Sequence, residues 1–403
     1  MEFVERGIVM QKYIIVTGGE LRNKGAQAMT FITVDQIAKK YPQYRVVLVS
    51  KQDYKRPESE KKNYKFDIIA PMTVIKNRIV SSCFGGLLFQ NDPVYKEYLR
   101  ILKNSVALID ISGYALGSNW GAKNAIRVMQ RICLAKYYNI PVYFMPQSYG
   151  PFDFKGKMAL IANYMIKHYL SYAKVVYARE YDGLKLLEEK YRLKNVVKAN
   201  DLVLQNKGFE LSNIYHNVPE VFDMDVPKGS VAIIPNSKNN KFGEENEVMR
   251  LYQNVISRLL DKNKKVYLIY HAVEDLKVCE AIKEKYFTDN KDVLVVEKEL
   301  SCVDFDNLVE KFDFIIGSRY HSIVHAYRKS IPAVILGWAI KYRELAKSIE
   351  QENYCFDVKD VSNHESILSA VDRMCEMNTL EAAKISNLLC EIQKENVYDV
   401  IEV

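Results

Sequence analysis

Short apolar segments alternate along the chain with longer stretches in which apolar residues recur every three or four positions. The short segments are typical of buried strands, and the longer ones are typical of helices packed on a sheet. In the first part of the chain the predicted strands are Tyr13–Thr17, Arg45–Ser50, Ser105–Ile111, Pro141–Met145 and Val175–Tyr177, and the segment Val196–Leu204 closes the series; the predicted helices are Ala26–Lys40, Ala122–Tyr138, Lys157–Ala173 and one that begins near Glu180. This alternation predicts a mainly parallel sheet with helices on its faces.

A second series begins at Ser230, after residues 205–229, which have no clear periodicity and hold Gly, Asn and Pro. Its predicted strands are Ser230–Pro235, Lys265–Tyr270, Val293–Val296, Phe314–Ile316 and Ala333–Leu336, and its predicted helices are 244–262, 273–287, 304–311 and 319–329, with two further helical patterns at Glu365–Cys375 and Thr379–Lys394. A chain of 403 residues is also too long for one ordinary core. We therefore predict an N-terminal domain 10–205, a linker 206–229 and a C-terminal domain 230–403.

The predicted fold class is α/β, with two Rossmann-like domains that face each other across a cleft. This arrangement resembles the GT-B fold of glycosyltransferases, and we expect the C-terminal helices to pack back toward the N-terminal domain. Ligands of open parallel sheets bind beyond the carboxyl ends of the strands. The cleft between the two domains is therefore the expected active site.

Charge and hydropathy limit the possible partners. The net charge is +7, with lysine and glutamate interspersed, which fits an anionic substrate or an acidic membrane surface and argues against nucleic acid. No apolar run approaches the ~20 residues that a membrane span needs. The basic, partly apolar stretch Lys155–Lys174 is compatible with a contact to lipid, although a helix packed in the core is the simpler explanation.

The cysteines and the first residues bear on the cell compartment. The seven cysteines are scattered singly, and their odd count and wide spacing predict free thiols in a reducing compartment. They are Cys83, Cys133, Cys279, Cys302, Cys355, Cys375 and Cys390. The first residues carry two acids and lack the apolar segment of a signal peptide, and a start at Met10 fits as well as one at Met1. We predict a cytoplasmic protein, with a peripheral position at the inner face of the cell membrane as an open alternative.

The stretch Asp313–Gly337 is the most informative motif of the chain. A buried strand is followed by a tight turn at Gly317 and Ser318, and then by a helix that opens with Arg319 and His321. We predict that Ser318 is the N-cap, which places the other two residues in the first helical turn. Unpaired N–H groups and the helix dipole favour an anion there. A guanidinium and an imidazole at this place predict a site for a small, multiply charged anion with a proton donor beside it.

Three further motifs follow predicted strands and hold small or polar residues. They are GGELRNKGAQA with Asn23 and Gly25, DISGYALG with Gly113, and MPQSYGPF with Gln147 and Ser148. Glycines at such places let the chain turn and let a ligand approach backbone amides. A sugar-binding loop and plain turn geometry each explain these motifs, so both interpretations stay open.

Three basic side chains also stand at predicted strand ends. Arg179, in the motif YARE, can enter the cleft or pair at the surface with Glu180 or Asp182. Lys341 follows the last predicted strand, where its ammonium group can reach an anion in the cleft. His271 ends the strand KKVYLIY and is a further candidate for lining the site.

His321 and His325 have the i, i+4 spacing of a metal-binding pair. No carboxylate accompanies them in an HExxH pattern, and the scattered cysteines offer no partner. We therefore predict no metal site, with His325 as a packing residue.

These motifs, in this order, resemble those of the polysaccharide pyruvyl transferases. The resemblance covers about Tyr13 to Ile349 and also includes NDLVL at Asn200–Leu204 and GSRYHSIVHAYRKSIPAV followed by Lys341. It implies a GT-B-like fold and transfer of the pyruvyl group of phosphoenolpyruvate to a sugar diol, which yields a cyclic ketal and phosphate. The motif around Gly113 is poorer in glycine than is common in the family, which bears on the acceptor more than on the donor.

The resemblance also implies roles for three residues. Arg319 and His321 match the Arg-x-His of the family and Arg179 matches the arginine of its middle motif, so these three are the expected catalytic residues. From their places after predicted strands, the expected donor-binding residues are Ser318, Lys341 and His271, and the expected acceptor-binding residues are Asn23, Gly25, Gly113, Gln147 and Ser148. The two arginines are expected to hold the two anionic ends of phosphoenolpyruvate, and His321 to transfer the proton. The acceptor, a sugar or a lipid-linked oligosaccharide, is expected on the N-terminal side and the donor on the C-terminal side. This chemistry requires no metal or other cofactor.

Two other functions are compatible with the same fold, because a fold alone does not decide function. One is a GT-B glycosyltransferase that uses a nucleotide sugar, and the other is a glycan-binding protein without catalytic activity. Arg319 and His321, in place of a clear carboxylate for a ribose, favour the pyruvyl transferase. The oligomeric state stays open.

Overall fold

The computed structural model describes residues 11–72, 92–242, 244–360 and 363–403. The predicted alternative start at Met10 and the predicted free thiol of Cys83 lie outside these ranges. The described residues form two parallel sheets, of seven and six strands, each flanked by helices. The two-sheet, GT-B-like architecture predicted from the hydrophobic pattern is confirmed.

The first sheet is built from the N-terminal part of the chain. Its strands are β1 Tyr13–Thr17, β2 Arg45–Val49, β3 Asp67–Ile69, β4 Ser105–Asp110, β5 Val142–Gln147, β6 Val175–Ala178 and β7 Val196–Lys198, in the order β3-β2-β1-β4-β5-β6-β7. The helices are α1 Lys24–Lys40, α2 Glu58–Lys61, α3 Pro93–Lys103, α4 Ala122–Tyr137, α5 Met158–Leu170 and α6 Tyr181–Tyr191, and α7 Leu211–Ile214 follows in the connection to the second sheet. The strand order reverses at β1 and β4, and parallel sheets of this kind bind ligands beside such a reversal.

The second sheet follows the same plan. Its strands are β8 Val231–Ile234, β9 Val266–Ile269, β10 Val293–Val296, β11 Phe314–Gly317, β12 Ala333–Gly337 and β13 Cys355–Asp357, in the order β10-β9-β8-β11-β12-β13. The helices are α8 Ser237–Phe242, α9 Glu245–Asp261, α10 Leu276–Tyr286, α11 Cys302–Val309, α12 Tyr320–Arg328, α13 Ile340–Ser348 and α14 His364–Ile392. Here the strand order reverses between β8 and β11. The loop after β11 therefore lies beside the reversal, where ligands bind in sheets of this kind.

The connection between the two sheets is packed onto both of them. Phe31 of α1 contacts the rings of Phe209 and Tyr215, with centroids 5.8 Å and 5.6 Å apart. These residues belong to an apolar cluster that includes residues of both halves, whereas two other clusters lie within one half each. Residues 206–229 therefore connect the sheets as a packed segment, and the domain bounds 10–205 and 230–403 stay a prediction.

The C-terminal part of the chain returns to the first sheet. The two predicted tail helices are one continuous helix, α14, whose body packs against α9. The residues that follow α14 cross back to the N-terminal half, where the hydroxyl groups of Tyr398 and Thr33 lie 2.6 Å apart and Tyr143 Oη donates to the Glu402 carbonyl at 3.0 Å. The C-terminal part of the chain thus packs back toward the N-terminal domain, as predicted, but it does so through the residues after α14, while the body of the helix packs on its own half.

One predicted strand is shorter than expected, and two short strands were not predicted. The segment Val196–Leu204 is strand only to Lys198, because the chain turns at Asp201, whose carboxylate accepts from the Val203 N–H at 2.9 Å. The short edge strands β3 and β13 were not predicted, because three residues are too few for a periodic pattern.

Among the described residues, no helix combines the length and apolar character required to cross a bilayer.

Candidate active site

The carboxyl ends of the two sheets meet at a contact between α1 and α12. A Cβ atom added to Gly25 of α1 would lie 2.1 Å from Cγ of His321, so only glycine lets the imidazole approach this closely. Beside it, Lys24 Nζ donates a hydrogen bond to the His271 carbonyl at 2.9 Å. Both contacts join the N-terminal half to the C-terminal half, and the site is therefore formed by both.

The start of α12 differs from the prediction by one residue. Arg319, rather than Ser318, is the N-cap, and the helix begins at Tyr320. Ser318 instead extends β11, since its N–H donates to the Ile234 carbonyl at 3.0 Å and its hydroxyl lies 3.0 Å from Tyr252 Oη. The predicted N-cap is wrong, and the Ser318 hydroxyl points into the C-terminal core.

Arg179 is buried and held on several sides. Its Nη1 pairs with Asp201 Oδ2 at 2.5 Å, and its Nη2 donates to the Gly113 carbonyl at 2.9 Å and to Ser148 Oγ at 2.7 Å. The guanidinium carbon lies 4.8 Å from the centroid of the Tyr320 ring, within the range of a cation–π contact. Both terminal nitrogens of Arg179 therefore have protein partners.

His321 faces the carboxylate that Arg179 holds. Its Nε2 lies 3.9 Å from Asp201 Oδ2 and has no hydrogen-bond partner among the described residues, and its side chain is only 18% exposed. Burial and the nearby Arg179 lower the pKa of His321 to about 3, although Asp201 opposes the shift. Burial alone would raise the pKa of Asp201, but Arg179 and His321 outweigh it and hold that pKa below its usual value. At neutral pH the imidazole is therefore neutral and the carboxylate ionised.

Arg319 also pairs with carboxylates, but one edge of its guanidinium stays open. Nε and Nη2 donate to the two oxygens of Asp275 at 2.7 Å and 2.6 Å, and Nη2 also donates to Glu274 at 2.9 Å. No described residue accepts a hydrogen bond from Nη1, and the side chain is partly exposed. Arg319 can thus bind an anion without giving up Asp275.

Lys341 is a cation of the site without an ion pair to any described residue. Its ammonium lies 5.1 Å from the ring centroid of Tyr320, 5.9 Å from that of Trp338 and 5.6 Å from that of Tyr342. Burial among these rings and the nearby Arg179 lower the pKa of Lys341 to about 8, while Glu180 opposes the shift. The ammonium form prevails at neutral pH, and it is well suited to attract an anion.

The residues predicted to bind the acceptor form hydrogen bonds mainly with other protein groups. Asn23 caps α1, since its Oδ1 accepts from the N–H groups of Gly25 and Ala26. Gln147 Nε2 donates to Asp110 Oδ1 at 2.9 Å, and its buried Oε1 has no partner among the described residues. Ser148 Oγ donates to Glu180 at 2.8 Å. Gly113 offers its carbonyl to Arg179, as described above.

Sequence reasoning missed Lys24 as a site residue. Its side chain is buried, its ammonium lies 5.1 Å from the ring centroid of Tyr270, and burial lowers its pKa to about 8. The ring of His271 packs edge-on against Phe305, and burial and Lys24 lower its pKa well below the usual value. His271 therefore contributes its carbonyl to the domain contact, while its ring lies in the core.

His325 lies one turn along α12 and does not join His321. It is fully buried, and its Nδ1 lies 2.6 Å from Asp306 Oδ1. In the part of the chain that the structure describes, no three His, Cys, Asp or Glu residues stand together as a metal site. The six described cysteines are free thiols.

Residues 23–339 match the family described as polysaccharide pyruvyl transferase, a span that holds the residues described for this site except Lys341 and Tyr342. The chain belongs to the polysaccharide pyruvyl transferase family. It is therefore a transferase enzyme of polysaccharide biosynthesis. A comparison with curated protein sequences finds no match.

Solved structures share the fold at low sequence identity. The UDP-GlcNAc 2-epimerase from Methanocaldococcus jannaschii is 14% identical over 91% of this chain and 93% of that chain, with a TM-score of 0.56. Anabaena HepE, solved in complex with UDP and glucose, is 10% identical over 95% and 98%, with a TM-score of 0.54. Trehalose-6-phosphate synthase OtsA is 8% identical over 97% and 99%, with a TM-score of 0.54. At such identities the likeness concerns the GT-B-like fold alone.

Proposed function

We propose that this enzyme transfers the pyruvyl group of phosphoenolpyruvate to two hydroxyl groups of a sugar, in a polysaccharide or a lipid-linked oligosaccharide precursor. The products are a cyclic ketal and phosphate. Family membership supports the donor and the class of acceptor. The observation that carries the proposal is the Lys341 ammonium, without a described carboxylate partner, over the ring of Tyr320, the residue directly before His321.

The donor is a carboxylate and a phosphate on a three-carbon frame, and the C-terminal side offers cations for both. The Lys341 ammonium lacks a carboxylate partner among the described residues, and the Nη1 edge of Arg319 lacks an acceptor. Hydrogen bonds between charged partners are about twice as strong as neutral ones. We assign Lys341 and Arg319 to donor binding, which keeps the predicted role of Arg319 at one end of the donor.

Arg179 has a different role in this proposal. Because both of its terminal nitrogens are bonded to protein groups, it does not serve as the second half of a clamp. It holds Asp201 beside His321, and Ser148 and Gly113 at the predicted acceptor side. Arg179 is thus a positioning residue, and Asp201 is the group through which it acts on the imidazole.

The chemistry needs one proton-transfer group that works in both directions. Two C–O bonds form at C2 of the donor, the C–O bond to phosphate breaks, and C3 gains a proton. Of the two protons that the sugar hydroxyls release, one balances the proton gained by C3 and the other leaves with phosphate. His321 is neutral in the free site. The bound, anionic donor raises the pKa of His321 so that the imidazole takes up a proton, and ionised Asp201 stabilises the imidazolium, which gives its proton to C3. The neutral imidazole that remains accepts the proton of the attacking hydroxyl, and the proton of the second hydroxyl leaves with phosphate.

The test is a reaction of the purified enzyme with phosphoenolpyruvate and a panel of synthetic galactosides and N-acetylmannosaminides. We expect phosphate and a cyclic ketal in equal amounts, measured by phosphate assay and by NMR of the ketal methyl group. Nucleotide release from UDP-sugars with the same acceptors would instead identify a GT-B glycosyltransferase. Thermal stabilisation by phosphoenolpyruvate without turnover of any glycan would identify a binding protein.

A further inference from the structure

Helices α4 and α5 form an outer layer of the N-terminal half with an unusual surface. The two helices pack side by side, and Lys136 Nζ of α4 lies 3.2 Å from His168 Nε2 of α5. Among the described residues, the three most exposed large hydrophobic side chains all lie on them: Leu160 is 79% exposed, Tyr137 77% and Tyr164 67%. Ile161 is exposed beside Leu160. We call the exposed surface of these two helices and of the loop 151–157 the α4–α5 face.

The charge of the protein is concentrated on this same layer. Residues 121–174 hold eight Lys or Arg residues and one acidic residue, a net charge of +7, which equals the net charge of the whole chain. The remaining residues are therefore balanced in charge. Six of the eight are exposed, and none of these six forms an ion pair with a described carboxylate; they are Lys123, Arg127, Lys155, Lys157, Lys167 and Lys174.

We infer that the α4–α5 face docks on an anionic lipid bilayer. An amphipathic helix that lies in the interface inserts apolar and aromatic side chains and leaves lysines at the headgroups. On α5, Leu160, Ile161 and Tyr164 supply the apolar and aromatic side chains; Lys157 at its N-cap and Lys167 within it supply the lysines. Tyrosine and tryptophan are favoured at the same depth, and Trp120 is half exposed at the start of α4.

Charge and shape favour a bilayer over a second copy of the chain or an acidic protein as the partner of this face. A second copy would bring an equally basic face, so two copies meeting here would repel each other. An acidic protein would satisfy the lysines, but apolar side chains that project from the outer surface of two helices offer it no groove. A bilayer accepts separate apolar side chains and adds a negative surface potential that attracts each lysine.

The position of the face links it to the site, and in this respect the inference rests on the proposed function. In a parallel sheet each helix begins at the carboxyl edge of the preceding strand, so α5 starts near Gln147 and Ser148 at the end of β5. Leu160 and Ile161 therefore lie at the end of α5 that is nearest to the cleft. A lipid-linked acceptor anchored in the same bilayer would have its sugar beside the N-terminal half of the site.

The test is flotation of the full-length protein with vesicles of phosphatidylcholine, with and without phosphatidylglycerol. We expect binding to the anionic vesicles only, with a loss on raising the salt concentration, because the Debye length falls to about 3 Å at 1 M. The triple variant Lys155→Gln, Lys157→Gln, Lys167→Gln should bind roughly five-fold more weakly for each removed charge. The double variant Leu160→Ser, Ile161→Ser should also lose binding at unchanged net charge.

The matched control is Lys277→Gln, Lys285→Gln, Lys291→Gln, which removes three exposed lysines from the C-terminal half. The control should bind to the vesicles like the unchanged protein, and all variants should unfold at the same midpoint temperature as the unchanged protein. Equal binding by the face variants, or an equal loss in the control, would overturn the inference. So would a dimer that the face variants dissociate in sedimentation, or binding to an acidic polypeptide but not to vesicles. None of these measurements depends on turnover, so a failure of membrane binding can be distinguished from a failure of the proposed reaction.

Discussion

The two arginines of the site are one residue type in two different settings. Arg179, on the N-terminal side, is buried and shares its terminal nitrogens among Asp201, Ser148 and the Gly113 carbonyl. Arg319, on the C-terminal side, is partly exposed and keeps Nη1 open while Asp275 holds the opposite edge. A guanidinium whose terminal nitrogens are occupied holds its neighbours in place, whereas one with an open edge can bind a ligand.

The same contrast applies to the two halves. On the N-terminal side, a dense hydrogen-bond network holds Asp201 beside His321 and holds the loops that are predicted to bind the acceptor. The C-terminal side keeps open donors at Arg319 and Lys341. We expect the first to govern turnover and folding stability, and the second to govern affinity for the donor.

The largest effect is expected at the residue where the two sides meet. His321→Gln keeps a polar side chain but removes proton transfer, a contribution of roughly 10²–10⁴ in rate. Turnover should fall by that factor, measured as phosphate release at saturating phosphoenolpyruvate, with unchanged circular dichroism. His216→Gln, at an exposed position, is the control and should keep full activity. Near-normal turnover in His321→Gln would remove the histidine from the mechanism.

The next effect is on folding stability. Asp201→Asn removes the carboxylate that is hydrogen-bonded to the buried Arg179 and leaves only Glu180, whose Oε1 lies 3.8 Å from Nε; breaking a buried ion pair costs about 3–5 kcal/mol of unfolding free energy. Glu274→Gln removes a mostly exposed partner of Arg319 and should cost at most about 1 kcal/mol. Urea unfolding of both variants measures this difference. Equal destabilisation would contradict the distinction between the two arginines.

A third effect concerns the donor alone. In Arg319→Lys the ammonium cannot pair with Asp275 through two bonds and also reach the donor, so the KM for phosphoenolpyruvate should rise roughly 10–100-fold, with a smaller change in kcat. Arg328→Lys, at the other end of α12, makes the same exchange at the ion pair with Asp306, away from the cleft. It should leave this KM unchanged. An unaltered KM in Arg319→Lys would rule out its donor role.

The smallest effect is a shift of the pH profile. The pKa of Lys341 is lowered to about 8, so its positive charge is present below that pH and is lost as the pH rises through it. The value of kcat/KM for phosphoenolpyruvate should therefore fall above about pH 8, and Lys341→Arg should keep it high, since arginine stays charged. Lys24 has a similarly lowered pKa. If kcat/KM still falls at high pH in Lys341→Arg but no longer falls in Lys24→Gln, the titrating group is Lys24 instead.

The fold could be predicted from the sequence because its strands and helices have strong local periodicity. Some of the differences have a local reason: β3 and β13 are three residues long, and residues 375–379 carry no helix breaker strong enough to divide α14. The helices α3 and α13 were also not predicted. The motifs after the strands also indicated where the site lies, since parallel strands bring their carboxyl ends to one edge.

The partners of the charged residues could not be predicted in the same way. Asp201 lies 22 positions from Arg179, and Asp275 lies 44 positions from Arg319, so no local pattern connects either pair. One signal was available for Asp201, an acid placed directly before the apolar run Leu202–Leu204 without a basic residue beside it. The N-cap at Ser318 was wrong for a related reason, because residues distant in sequence, Ile234 and Tyr252, hold that serine in the sheet.

The return of residues 393–402 to the first sheet means that the polypeptide passes between the two halves twice. The chain thus ties the two halves together at two places, so the close fit of the His321 ring over Gly25 does not depend on a single connecting segment.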